Sequence, residues 1–115
     1  MFKKENFMEL ILHRTLIHRD TTDGYITIGG SKVCDTAEHT PVMLQPGRYP
    51  LTRTNLYLAA GNGVYTLRAP TIIVGKHRCR GLVIHPRPTY LRIYERLKKA
   101  FARKEEVVLV VECGC

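Results

Sequence analysis

The chain lacks any apolar run near the roughly 20 residues that a membrane-spanning helix requires, so a bilayer is not an expected partner. A secretion signal is missing as well: Lys3 and Lys4 precede an apolar stretch, residues 10–12, too short for a signal-peptide core. A cytoplasmic protein is therefore expected. There are no internal repeats and no low-complexity tracts, and 115 residues suit a single hydrophobic core. The paired-cysteine spacing of a zinc knuckle is absent, and so is any recognised nucleic-acid-binding signature. Carboxylates are scarce, 10 Asp and Glu against 18 Lys and Arg, for a net charge of +8. Such an excess draws anions and raises their encounter rate, whether phosphorylated small molecule, acidic protein surface or nucleic acid.

What is present is ordinary globular material, 44% apolar and 24% charged. The cations gather in two places. One is Lys76, Arg78 and Arg80 with Arg87; the other is Arg92, Arg96, Lys98, Lys99, Arg103 and Lys104. The second group falls on an expected helix, where a solvated outer face is the simplest explanation. Cys34, Cys79, Cys113 and Cys115 would suggest a disulfide frame in a secreted chain, but no signal accompanies them. His77, Cys79, Cys113 and Cys115 would supply four soft zinc ligands, yet at spacings that zinc sites do not use. No metal and no cofactor are expected.

Residues 8–14 alternate apolar and polar, the period of a strand with Met8, Leu10 and Leu12 on one face. Residues 20–24 break that pattern. Tyr25-Ile26-Thr27-Ile28 then reads as a strand, Gly29-Gly30 as a two-residue hairpin turn, and residues 32–35 as the returning strand. Pro46-Gly47 has the composition of a type II turn inside a connecting segment, residues 41–50. Residues 56–58 and 64–67 flank Gly61-Asn62-Gly63 as a further hairpin. Ile72-Ile73-Val74 and Leu82-Val83-Ile84 suit buried strands with a basic loop, residues 76–80, between them. Tyr90, Ile93, Tyr94, Leu97, Ala100 and Phe101 recur at offsets of three and four, which predicts a helix over about 89–103 capped by Thr89. Residues 107–111 close the chain as a buried strand. The expected fold is α+β: a mostly antiparallel, barrel-like sheet with one late helix. Residues 1–7 form an extension, 8–112 the domain, and 113–115 a Cys-Gly-Cys tail.

Several of these elements occur in a meaningful order: the strand Met8-Glu9-Leu10-Ile11-Leu12-His13-Arg14-Thr15, then Cys34-Asp35-Thr36-Ala37-Glu38, Pro46-Gly47-Arg48-Tyr49, Gly61-Asn62, and the apolar strand from Ile72 to Gly75. The series resembles the bacterial and phage-borne domain of unknown function 5675 family, which carries a Cys-x-Thr-x-Glu element and a Pro-x-Gly-x-Tyr turn. Here the turn is one residue shorter. The family pattern places a histidine two residues before Gly-Asn and a Gly-Cys before the apolar strand. That pair is distantly similar to the motif of cysteine-dependent peptidoglycan L,D-transpeptidases, in which an imidazole holds a thiol as thiolate. This chain has Ala59, Pro70 and Thr71 at those positions. The resemblance thus implies a phage or prophage setting and a pseudoenzyme.

Two alternatives remain beside that expectation. Cys79 with His77, in an electropositive stretch that lowers a thiol pKa, is a candidate displaced nucleophile for a residual cell-wall enzyme or wall-binding relative. Arg92, Arg96, Lys99 and Arg103 are candidates for nucleic-acid contacts through one helix face. The leading expectation is a non-catalytic binding module for an anionic small molecule or acidic protein surface. Lys76, His77, Arg78, Arg80, Arg87 and Arg48 would be its contacts, since guanidinium groups grip phosphate and carboxylate in bidentate fashion.

Overall fold

The computed structural model describes residues 7–61 and 69–112. Its strands are β1 (Phe7–Ile17), β2 (Thr21–Ile28), β3 (Ser31–His39), β4 (Gly47–Pro50), β5 (Leu58–Ala59), β6 (Ile72–Cys79), β7 (Leu82–Ile84) and β8 (Glu106–Val111), with one helix, α1 (Pro86–Ala102). The sheet runs β4-β8-β1-β2-β3-β6-β5, and β7 pairs with β6. Its pairings are antiparallel except β1 with β8 and β5 with β6. The sheet curls into a half-barrel, so the expected α+β class with a barrel-like core holds. The curl brings its two ends together, and Tyr49 of β4 meets Tyr57 edge-on at 5.7 Å.

Alternation decides which face turns inward. Leu10 and Leu12 of β1, Ile26 of β2, Ile72 and Val74 of β6 and Leu109 of β8 are completely buried on the concave side. Ile93, Leu97 and Ala100 of α1 close that side. Fully burying Ile93 and Leu97 contributes about 1.5–3 kcal/mol each. β8, between β4 and β1 in the sheet, is apolar on both faces: Val107, Leu109 and Val111 join the main core, and Val108 is buried on the other side. Arg14 occupies the concave face next to Leu12 and meets Glu38 of β3 across β2, where Gly24 contributes no side chain. Arg14 Nε and Nη2 donate to the Glu38 carboxylate at 2.9 and 2.7 Å, and Nη2 also donates to the Leu44 carbonyl. On the convex side Ala37, Ile73 and Val83 form a second, small cluster beneath β7.

The Gly29-Gly30 turn forms as expected, both residues at positive φ (61° and 86°) and Ile28 opposite Ser31. Other local expectations need correction. Residues 21–24 are not a break but the first half of β2, hydrogen-bonded to both β1 and β3. Phe7 belongs to β1 rather than to an extension. Gly47 does not sit in a type II turn: it is the first residue of β4, at φ 156° opposite Val111. Residues 76–79 continue β6 instead of looping, and the turn is at Arg80-Gly81. α1 begins three residues earlier than 89. Pro86 supplies a ready-made helical φ at its first position, His85 takes the cap position in a left-handed conformation, and the Thr89 hydroxyl donates to the His85 carbonyl from inside the first turn. Of the hairpin expected around Gly61-Asn62-Gly63, residues 62–67 lie outside the described residues, as does the tail 113–115.

Candidate functional site

β6 pairs with β3 only from Ile73 to Gly75. Beyond that it turns away to pair with β7, which packs closely enough on Gly75 that a Cβ there would lie 2.8 Å from the Ile84 carbonyl oxygen. The divergence opens a cleft of about 510 Å³ between β3, β6 and the first turns of α1. Asp35 stands at the fork. Its carboxylate accepts the His77 backbone N–H at 2.9 Å and the Lys32 ammonium at 2.7 Å. Burial works to raise the Asp35 carboxyl, but these two donors and the positive charge of Lys32 prevail and hold it below its ordinary value of 3.8. The cleft is also lined by Cys34, whose thiol is pushed up to about 12, first by burial and then by the Asp35 charge. A thiol held there stays protonated at neutral pH.

The walls are cationic. Lys76 shares the parity of Ile72 and Val74, so it points toward the side that α1 covers. Arg92 projects from the helix, with His85 and Thr89 nearby. Lys32 is engaged by Asp35, whereas Lys76 and Arg92 make no ion pair among the described residues. A groove of about 570 Å³ continues along the helix past Val33, Ile93 and Arg96.

Of the six residues expected to bind together, only Lys76 lines this cleft. His77 has the opposite parity, and its Nε2 faces the buried Asp23 carboxylate at 3.4 Å. Arg80 borders a different cavity, with His18, Arg19 and Asp20. Arg78 and Arg87 are exposed. Arg48 is four strands away on β4, paired with Glu9 at 3.0 Å and lying over the Phe7 ring. Sequence reasoning missed Lys32, His85 and Arg92 as lining residues. Pro88, Thr89 and Arg92 share a helix face by their spacing, but Arg92 reads equally well as one of many solvated cations.

Of the positions where the family resemblance would place a reacting pair, Ala59 pairs with Ile73 across β5 and β6, and Thr71 lies just before β6. Neither side chain offers an imidazole or a thiol. Cys79 is exposed at the far end of β6, roughly 20 Å of strand beyond. No hydrogen bond joins its thiol to His77 among the described residues. No cluster of three metal-ligating side chains occurs among them either, and Cys113 and Cys115 lie outside them. None of their helices is long and apolar enough to cross a membrane. Comparison with known protein families, curated proteins and solved structures finds no match.

Proposed function

We propose that the protein is a non-catalytic binding module that captures an anionic group in the cleft between β3, β6 and α1. The observation that carries this reading is that Lys76 and Arg92, which make no ion pair among the described residues, line one space beside Asp35. Arg92 offers a planar fork of donors to a phosphate or carboxylate, and Lys76 a mobile point charge from the opposite wall. Asp35 serves by holding Lys32 in place and by fixing the strand fork through His77 N–H. The buried, protonated thiol of Cys34 brings no competing negative charge.

The reading fits the relationship to the domain of unknown function 5675 family proposed on sequence grounds. In that relationship Ala59 and Thr71 would stand where a histidine and a cysteine have been lost. A cytoplasmic setting in a phage or prophage context goes with that relationship. The test is isothermal titration with inorganic pyrophosphate, at low and moderate ionic strength. Binding should fall at least tenfold in both Lys76→Ala and Arg92→Ala and be unchanged in Arg78→Ala. If Arg78→Ala and Arg92→Ala weaken it equally, the charge is merely diffuse and the cleft is not the site.

A further inference from the structure

The fork that makes the cleft also strips β3 of a neighbour. On the side away from β2, residues 35–37 pair with β6, while residues 31–34 have no strand beside them among the described residues. An unpaired edge of this kind presents backbone N–H and C=O groups to any extended chain that fits against it. Here the edge faces α1 across a groove rather than open solvent, because the groove is lined by Val33 on one side and by Ile93, Arg92 and Arg96 on the other. At about 3.3 Å per residue, four residues give an edge of roughly 13 Å. β3 carries a bulge at this place, between the Cys34 and Lys32 pairings with β2, which bends the edge locally.

Resting on the anion-binding reading above, we infer that the occupant of this groove is an acidic, extended peptide segment that adds as a strand to residues 31–34 of β3. Its backbone continues the sheet where β6 departs, in the manner of strand addition between a sheet edge and a helix. Its acidic side chains meet Lys76, Arg92 and Arg96, and its apolar side chains rest on Val33 and Ile93. The charge argument selects the partner: the groove and cleft carry Lys32, Lys76, Arg92 and Arg96 against Asp35 and Glu95, and Asp35 is already satisfied by Lys32. A basic segment would be repelled by Lys76, Arg92 and Arg96, and a purely apolar one would gain nothing from them. Backbone pairing supplies affinity irrespective of side chain, while alternation every second residue supplies selection.

The experiment uses a fluorescein-labelled hexapeptide of alternating Glu and Val. Its controls are a Lys–Val version, a Glu–Val version N-methylated at alternate amides, and a single-stranded oligothymidylate. The Glu–Val peptide should bind in fluorescence anisotropy. It should lose at least tenfold in affinity on N-methylation or in Arg92→Glu, compete with pyrophosphate, and slow amide hydrogen exchange at residues 32–34. Pyrophosphate binding together with an N-methylated peptide as tight as the parent, or with unchanged exchange at 32–34, overturns strand addition and leaves the anion site standing. Absence of both peptide and pyrophosphate binding removes both ideas. Tighter binding of the oligothymidylate than of the peptide, again without protection of 32–34, overturns the peptide in favour of nucleic acid.

Discussion

Replacing Arg14 by methionine should be among the most damaging single changes available in this chain. The guanidinium and the Glu38 carboxylate are 2% and 1% exposed, so neither charge can be rescued by water once its partner is gone. Breaking a buried, hydrogen-bonded pair from one side costs about 3–5 kcal/mol, because the surviving charge stays uncompensated. Arg14→Met also orphans the Leu44 carbonyl that Nη2 now satisfies at 2.8 Å. Taking about 4 kcal/mol as the loss, a large part of the 5–15 kcal/mol typical of a whole domain disappears. Unfolding entropy of about 2.1 cal/mol/K per residue makes 1 kcal/mol worth about 4 °C at this size, so the midpoint should drop by about 16 °C. Glu38→Leu should cost a similar amount. The double variant Arg14→Met with Glu38→Leu should recover most of that loss, since removing both charges also removes the cost of burying them, and fall short of the parent by about 1–3 kcal/mol for the orphaned Leu44 carbonyl. Urea unfolding followed by circular dichroism measures all three. A loss under 1 kcal/mol in Arg14→Met, or strictly additive losses in the double variant, would refute the reasoning.

Further outcomes are expected. With its thiol held protonated up to about 12 when folded, against an ordinary 9.0, Cys34 should make stability full below pH 9 and declining from there toward pH 12. The loss should approach about 4 kcal/mol, and Cys34→Ala should remove that part of the decline; in the native state at pH 8, iodoacetamide should label Cys79 and leave Cys34 untouched, as read by peptide mass spectrometry. Lys104 adopts φ 62° just past α1, where Lys104 N–H and Glu105 N–H donate to the carbonyls of Phe101 and Ala100; Lys104→Gly should keep those bonds, relieve the backbone strain and raise stability by about 1 kcal/mol in urea unfolding. Gly75→Ala should push β7 away from β6, lowering hydrogen-exchange protection of residues 82–84 before that of β8; equal loss in both strands would show a global rather than local effect.

The sequence made the layers of this fold legible wherever period and position coincide. The apolar parity of β1, the Gly29-Gly30 turn, the α1 stripe and the continuous run of β8 each arise from a local rule that tertiary contacts reinforce. Residues 21–24 were illegible because Thr21, Thr22 and Asp23 look like loop material, yet their polar groups are satisfied inside the sheet: Thr22 Oγ1 lies 2.8 Å from Thr40 Oγ1, and Asp23 Oδ1 accepts the Gly81 N–H. The site was legible only through Lys76. Arg48, grouped with the β6 cations by charge, belongs to another edge, since strand order is not written in the spacing of residues. Lys32 and Arg92 come from elements 60 positions apart, and only the fork between β3 and β6 sets them around one space.

Among the described elements β8 comes last in sequence, yet it lies inside the sheet, flanked by β1, the earliest described strand, and by β4. During synthesis, then, the earlier strands must wait beside an open slot until residues 106–111 arrive. A nascent chain halted at Glu105 would display two naked strand margins at once, a state suited to chaperone capture or to clumping with its own copies. The register that sets Leu10 beside Leu109 also implies slow closure, because contacts so far apart in sequence must close a long loop before they stabilise anything.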